Sequence, residues 1–291
     1  MLRSDRLRTI RTALEEDAAF GDVTTMALFS SPIRAQATVV AHQPMTLAGI
    51  AVACEVFTEV DPSLIVTRAR LDGQVVKSGA AVLTVEGDGR SLLIAERVAL
   101  NFLQHLSGVA TLTARFCHAV RGYPTQIVDT RKTTPGLRSL EKWAVRLGGG
   151  RNHRLSLADG ILIKDNHLGL WRAQLGSVTQ ACRAAREGAP HGLRIIVEAQ
   201  TSAEVRDALE GKADVILLDN MTPSQVRDVM AIIKDRALVE VSGGMTVEKA
   251  REMAAMGVHY ISVGALTHSA PAADLSLDIV PSKRGRRRKK S

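Results

Sequence analysis

Two acids and several cations stand where short apolar runs stop. Lys164, Glu198 and Asp219 directly follow Ile161-Leu-Ile163, Ile195-Ile-Val197 and Val215-Ile-Leu-Leu218. A carboxylate at the end of a buried run is costly unless it is paired, hydrogen-bonded or metal-bound. Glu198 and Asp219 therefore fit either structural ion pairs or a site that takes a divalent cation or steadies positive charge developing on a substrate. Lys164 either pairs with a carboxylate near Asp165 or faces an anionic ligand. After Ile127-Val128, the segment Asp129-Thr-Arg-Lys132 with Thr-Thr-Pro-Gly-Leu-Arg138 supplies adjacent cations, hydroxyls and a Pro-Gly turn. Arg131 can give a carboxylate a planar, two-pronged hydrogen bond, and Lys132 can give a phosphate or ring oxygen a compact charge. A solvated basic loop is the other reading of the same residues. Gly148-Gly-Gly150 precedes His153 and Arg154, and glycines let backbone approach a ligand closely. Ser242-Gly243-Gly244 and Gly264 follow two further runs, where exposed N–H groups can cradle a phosphate. Arg97 sits beside Glu96 inside a helical pattern and reads locally as a surface ion pair.

The elements that must position these residues change character along the chain. Residues 34–89 read as short strands broken by turns, with two strands around a glycine turn over residues 71–85. From Leu92 to Val120 the apolar spacing of Leu93, Val98, Phe102, Leu106 and Val109 predicts two successive amphipathic helices, broken at Ser107-Gly108. After residue 125, six short apolar runs at 127–128, 161–163, 195–197, 215–218, 238–239 and 261–263 alternate with helical stretches such as 202–209, 223–233 and 247–256. That alternation predicts a buried parallel sheet. If it closes into a barrel, the polar residues after each run converge on the carboxyl-end face, where barrel enzymes place their chemistry.

Composition narrows the classes. The 291 residues are 45% apolar and 23% charged, enough for a sizeable core and against disorder throughout. No run approaches the roughly 18 to 20 apolar residues of a membrane helix, and the charged start lacks the apolar stretch of a secretory signal, so a bacterial-type cytoplasm is the expected location, with no membrane partner. Cys54, Cys117 and Cys182, with no CxxC spacing, read as small core residues. Seven of the eight net positive charges lie on Lys283, Arg284, Arg286, Arg287, Arg288, Lys289 and Lys290, which read as a solvated tail. Aromatic residues make up only 3% of the chain, so a base-stacking platform is poorly supplied and no specific nucleic acid is expected. Within the body, residues 129–167 hold eight Lys/Arg against four Asp/Glu, the charge concentration that matters.

In this order, the motifs resemble the quinolinate phosphoribosyltransferase family. The resemblance rests on Gly21-Asp-Val-Thr-Thr25, residues 95–104 with Ser107-Gly108, Asp129-Thr-Arg-Lys132 with its continuation to Arg138, and Gly148-Gly-Gly150. It continues through Asn152-His-Arg154, residues 162–167, Leu218-Asp-Asn220, Ser242-Gly-Gly244 and residues 262–269, and covers about residues 13–280. It implies an α/β fold: an N-terminal α/β sandwich-like domain over residues 1–109 and an incomplete parallel α/β barrel over 110–268. A segment 269–280 would return to the first domain, followed by a disordered basic tail, 281–291. The implied reaction transfers phosphoribosyl from phosphoribosyl pyrophosphate to quinolinate with decarboxylation, giving nicotinate mononucleotide, pyrophosphate and CO₂.

The resemblance also implies residue roles. Arg131, His153, Arg154 and Lys164 match positions around the quinolinate carboxylates; Lys132, Glu198 and Asp219 match those around the ribose and its Mg²⁺-bound pyrophosphate. Lys132, Glu198 and Asp219 are the catalytic set, with Glu198 and Asp219 meeting the metal directly or through substrate. Ser242, Gly243, Gly244 and Gly264 match the 5′-phosphate cradle. Arg97 matches an arginine that reaches into the partner's site in a homodimer, or in a hexamer of dimers, which reverses its local reading. One departure stands out: the family often carries a second acid two residues after Glu198, where this chain has Gln200. The alternatives are a related transferase acting on nicotinate or another small anion, a barrel aldolase forming a Schiff base through Lys132 or Lys164, and a tail-driven nucleic-acid binder.

Overall fold

The computed structural model describes residues 3–282 and divides into two compact units. The first gathers the residues up to Thr111, Ser139–Gly148, and those from Ala270 onward; the second holds Leu112–Arg138 and Gly149–Ser269.

The first unit begins with helices α1 (Arg3–Ala18) and α2 (Val23–Leu28), the latter capped by the Asp22 carboxylate, which accepts from the N–H groups of Thr24 and Thr25. Strand β1 (Arg34–Ala41) follows, its side chains alternating between buried and more exposed as a half-covered strand requires. After β2 (Met45–Thr46) comes helix α3 (Ile50–Val60), then β3 (Ile65–Arg68), β4 (Val75–Val76) and β5 (Ala81–Asp88). The expectation of strands throughout 34–89 is corrected at α3. Its apolar run has no local cap; instead the Asp72 carboxylate, from far along the chain, accepts from the N–H groups of Ile50 and Ala51 at 2.8 and 3.1 Å. The two strands read around the 71–85 turn do not pair with each other: β4 pairs with β2, and β5 lies between β1 and β3.

Helix α4 (Gly89–Ala119) is continuous, which corrects the break expected at Ser107-Gly108. Those two small residues serve packing instead. The buried Ser107 hydroxyl accepts from the Ala48 N–H at 3.0 Å and donates to the Ala48 carbonyl at 3.1 Å, and a Cβ on Gly108 would fall 2.2 Å from the Pro271 carbonyl oxygen.

The second unit carries a six-stranded parallel sheet: β6 (Gln126–Val128), β7 (Ile161–Ile163), β8 (Ile195–Ala199), β9 (Val215–Asp219), β10 (Leu238–Ser242) and β11 (Tyr260–Ser262). All six apolar runs became strands. Helix α5 (Arg138–Leu147) lies between β6 and β7 in sequence, and α6 (Asp165–Gln174) and α7 (Val178–Gly188) between β7 and β8. Helices α8 (Ser202–Glu210), α9 (Pro223–Ile233) and α10 (Val247–Ala255) separate the later strands. The strand order β6-β11-β10-β9-β8-β7 pairs the first strand with the last and leaves β6 and β7 without a bond to each other, so this is an incomplete α/β barrel. Arg151 partly lines the gap, its N–H donating to the Ile127 carbonyl and its own carbonyl accepting from Asp129. The short helix α11 (Ala265–His268) follows β11.

The chain ends on β12 (Leu275–Pro281), antiparallel to β1 from Ala35 opposite Pro281 to Ala41 opposite Leu275. Ser282 donates to the Arg34 carbonyl, and the remainder of the basic tail lies outside the described residues. The three cysteines are free; Cys54 and Cys182 are buried and Cys117 is half-buried.

Candidate active site

At the carboxyl ends of the parallel strands the second unit opens into a cavity of about 720 Å³. Its lining brings together Arg131, Lys132, His153, Arg154, Lys164, Glu198, Asp219, Ser242, Gly243, Gly244 and Gly264, so all of these candidate residues share one space. Arg97 is not among the lining residues. It lies on α4 in the first unit, with its side chain 57% exposed and a guanidinium nitrogen 3.8 Å from Glu96.

The cationic side of the cavity is built on Asp129. This fully buried carboxylate, one residue past β6, accepts from the His153 N–H at 2.8 Å and from Asn152 Nδ2 at 2.6 Å, which ties down the loop that follows the glycine run. His153 Nδ1 accepts from the Arg154 N–H at 2.7 Å, and its Nε2 lies 3.6 Å from Glu240. Arg154 donates to the Gly160 carbonyl. Its burial, and then its neighbour Arg131, press its guanidinium below the ordinary arginine range. The Nε atoms of both arginines are buried with no hydrogen-bond partner among the described residues. Such donors are costly to leave unmade, and a carboxylate entering the cavity is the natural acceptor.

The acids line the same cavity. Burial, then Asp219 and then Asp165, raise the Glu198 carboxyl above its ordinary range, against the opposing pull of Lys164 and the Asp165 N–H. Asp219 accepts from Asn220 Nδ2 at 2.8 Å. Lys132 is held through its main chain, its N–H donating to Thr130 Oγ1 at 3.0 Å and its carbonyl accepting from Thr267 Oγ1 at 2.7 Å. Gly264 lets that lysine pass: a Cβ there would meet Lys132 Cδ at 3.2 Å and His268 Nε2 at 3.0 Å. Past β10, Gly243 and Gly244 take φ of 100° and 50°, a backbone suited to glycine, and Lys249 Nζ donates to the Gly243 carbonyl. Next, Thr246 caps α10, whose N-terminus faces the same cavity.

The donor set bears on magnesium. Among the described residues no cluster of three metal-ligating side chains forms. The Glu198–Asp219 pair fits the mode in which Mg²⁺ uses one or two carboxylates and completes its shell with water and substrate phosphate. Gln200 does not line the cavity: it is exposed, and its N–H donates to Glu204 at 2.8 Å at the start of α8.

Residue-by-residue reading missed Glu240, which is 3% exposed, lines the cavity and has one buried oxygen without a partner among the described residues. Its signal was present as an acid between Val239 and Val241 inside an apolar strand. Asp165 and His268 also line the cavity.

Residues 22–107 match the family model for the quinolinate phosphoribosyl transferase N-terminal domain, and residues 109–278 match that for its C-terminal domain. The chain is 43% identical over 281 residues to the nicotinate-nucleotide pyrophosphorylase (carboxylating) of Mycobacterium leprae, covering 93% of this chain and 96% of that protein. It is 41% identical over 264 residues to the probable nicotinate-nucleotide pyrophosphorylase (carboxylating) of Bacillus subtilis, covering 91% and 90%. The solved structure of the nicotinate-nucleotide pyrophosphorylase from Francisella tularensis superposes with a TM-score of 0.89 at 35% identity, covering 96% of this chain and 98% of that one.

Proposed function

Since this chain belongs to the quinolinate phosphoribosyltransferase family, we propose that it transfers phosphoribosyl from phosphoribosyl pyrophosphate to quinolinate with loss of CO₂, yielding nicotinate mononucleotide and pyrophosphate in NAD biosynthesis. The observation that carries this reading is the pair of buried Nε donors on Arg131 and Arg154, without a partner among the described residues, in one cavity with Glu198 and Asp219. Two anionic substrates must be brought together, and fixed cations reduce their mutual repulsion while orienting them.

Arg131, His153, Arg154 and Lys164 form the quinolinate end, with the arginines gripping carboxylates. The Ser242-Gly243-Gly244 loop and Gly264 receive the 5′-phosphate through backbone N–H groups. The pyridine nitrogen then attacks the ribose C1, the new N–C bond forms, and the C–O bond to pyrophosphate breaks with its electron pair leaving on oxygen. Positive charge develops on the sugar, and Glu198 and Asp219 favour it electrostatically while Lys132 meets the departing phosphate. Glu198 and Asp219 would also hold Mg²⁺, which when bound neutralises pyrophosphate charge. In the quaternised ring, the bond to the adjacent carboxylate breaks, CO₂ departs, and the carbanion, stabilised by the neighbouring ring nitrogen, takes up a proton. The substrate is its own electron sink.

The deciding experiment incubates the chain with quinolinate, phosphoribosyl pyrophosphate and Mg²⁺. Nicotinate mononucleotide with one CO₂ per turnover is expected. Turnover of nicotinate without CO₂ release would assign the other transferase reading. Localisation is proposed as cytoplasmic; among the described residues no helix is long and apolar enough to cross a membrane. We further propose a homodimer in which exposed Arg97 serves the partner's site. Mixing Arg97→Ala with Lys132→Ala subunits should then restore part of the activity, and absence of rescue after verified subunit exchange refutes the shared site.

A further inference from the structure

Asn220, the first residue past β9, adopts a left-handed backbone with φ 55°. Asparagine tolerates this region better than most residues with a side chain. Three contacts converge on it. Its N–H donates to the Ser242 carbonyl at 3.1 Å, joining the ends of β9 and β10. Its Nδ2 donates to Asp219 Oδ2 at 2.8 Å, and since an ionised carboxylate only accepts, the amide orientation is fixed by that bond. Its Oδ1 then rests against Gly243, where a Cβ would fall 2.0 Å from that oxygen and 3.0 Å from the Asn220 backbone nitrogen. The glycine loop thus lies directly against the amide that steers Asp219.

We infer that Asn220 is a positioning residue that sets the Asp219 carboxylate at a fixed distance from the Ser242-Gly243-Gly244 loop, so that a sugar phosphate is held at its hydroxyls and its phosphate as one rigid body. This rests on the proposed function for which end of the sugar phosphate meets each group, and it goes beyond that reading in assigning the spacing to a residue outside the reacting set. It also accounts for the side chain at this position: glycine would satisfy φ but leave Asp219 unsteered, and alanine would neither suit φ nor steer Asp219.

Asn220→Gly deletes the amide while keeping the backbone conformation accessible. Calorimetric titration with ribose 5-phosphate, which carries both sugar hydroxyls and phosphate, and with inorganic phosphate, which has no hydroxyls to reach Asp219, separates coupling from general damage. For Asn220→Gly, ribose 5-phosphate affinity should fall about tenfold, as for loss of a charge-assisted hydrogen bond, while phosphate affinity changes less than about twofold. In turnover, kcat/KM for phosphoribosyl pyrophosphate should fall by a similar factor while KM for quinolinate stays within about twofold. Asn220→Asp, which sets a second carboxylate beside Asp219, should lose more than Asn220→Gly. Equal losses on both probes, an unchanged ribose 5-phosphate affinity, the reverse order of the two variants, or failure of the parent chain to bind ribose 5-phosphate would each overturn the inference. A parent that binds both probes as expected yet releases no CO₂ from quinolinate would instead overturn the proposed function.

Discussion

Strands β8 and β9 run side by side, and their two ends treat acidic residues in opposite ways. At the amino end, Asp214 accepts from the Ile195 N–H at 2.7 Å and from Arg186 at 3.0 Å, and its own N–H donates to the Ile195 carbonyl. One of its carboxylate oxygens thus ties the start of β8 to Arg186 on α7. At the carboxyl end, Glu198 faces Asp219 and Asp165, and its carboxyl rises above the ordinary range instead of being relaxed by an arginine. The contrast separates an acid that holds the fold from one held ready against it. Charge or strand position alone does not make that distinction; the partners do.

The strongest way to break this contrast is Glu198→Gln. Losing the charge proposed to favour the developing cation should lower kcat by about 10²-fold. Stability should move the other way. Because burial, Asp219 and Asp165 raise the carboxyl in the folded chain, the native state binds this proton more tightly than the unfolded one. Its stabilising contribution is therefore complete below the ordinary glutamate range and is lost as pH rises through the raised value. Glutamine has no charge to bury, so in metal-free buffer the variant should melt above the parent at pH 7, with the gap closing as pH falls below the ordinary carboxyl range. Thermal melts across that window check the sign; a variant that melts lower at pH 7 would place Glu198 with the structural acids.

The converse substitution at the other end should give the mirrored result. Asp214→Ala leaves the N–H of buried Ile195 without its side-chain acceptor and leaves Arg186 with only the Lys212 carbonyl. The cost should be on the order of 1–3 kcal/mol, read as a drop of several degrees in Tm, with kcat/KM within about twofold of the parent. A large fall in kcat with an unchanged Tm would show that the two ends are not separable in the way their hydrogen bonds indicate.

How much of this was legible beforehand depended on whether a signal was local. The six strands were readable because a buried parallel strand must be apolar along its length, and Lys164, Glu198 and Asp219 stood out because each ends such a run. Glu240 follows the run read at 238–239 just as those residues follow theirs, but Val241 and the Ser242-Gly243-Gly244 turn come next and drew the reading past it, and only the fold shows His153 near it. Helix α3 escaped because its cap, Asp72, is remote in sequence, and α4 was cut in two because Ser107-Gly108 looks like a break until Ala48 and Pro271 are seen against it. Asn220 carries no visible role in the sequence, since neither its left-handed φ nor the approach of Gly243 is written in residue types.

Gln200 sharpens the same lesson at the smallest scale. In sequence, a neutral amide where the family often has an acid, two residues from Glu198, suggests a weakened metal site. In the fold, residues 198 and 200 part company: Glu198 lines the cavity, while Gln200 is exposed, with its N–H bound to Glu204. An added carboxylate at an exposed position is screened by water and salt and has little influence on a cavity it does not line. Gln200→Glu is therefore expected to change kcat and the Mg²⁺ concentration for half-maximal activity by less than about twofold. The new charge would stand near the Glu204 carboxylate, so any effect should be a slight fall in Tm that salt reduces. A severalfold drop in the Mg²⁺ requirement would mean that this position reaches the metal after all, and that the acids acting at the mouth extend beyond Glu198 and Asp219.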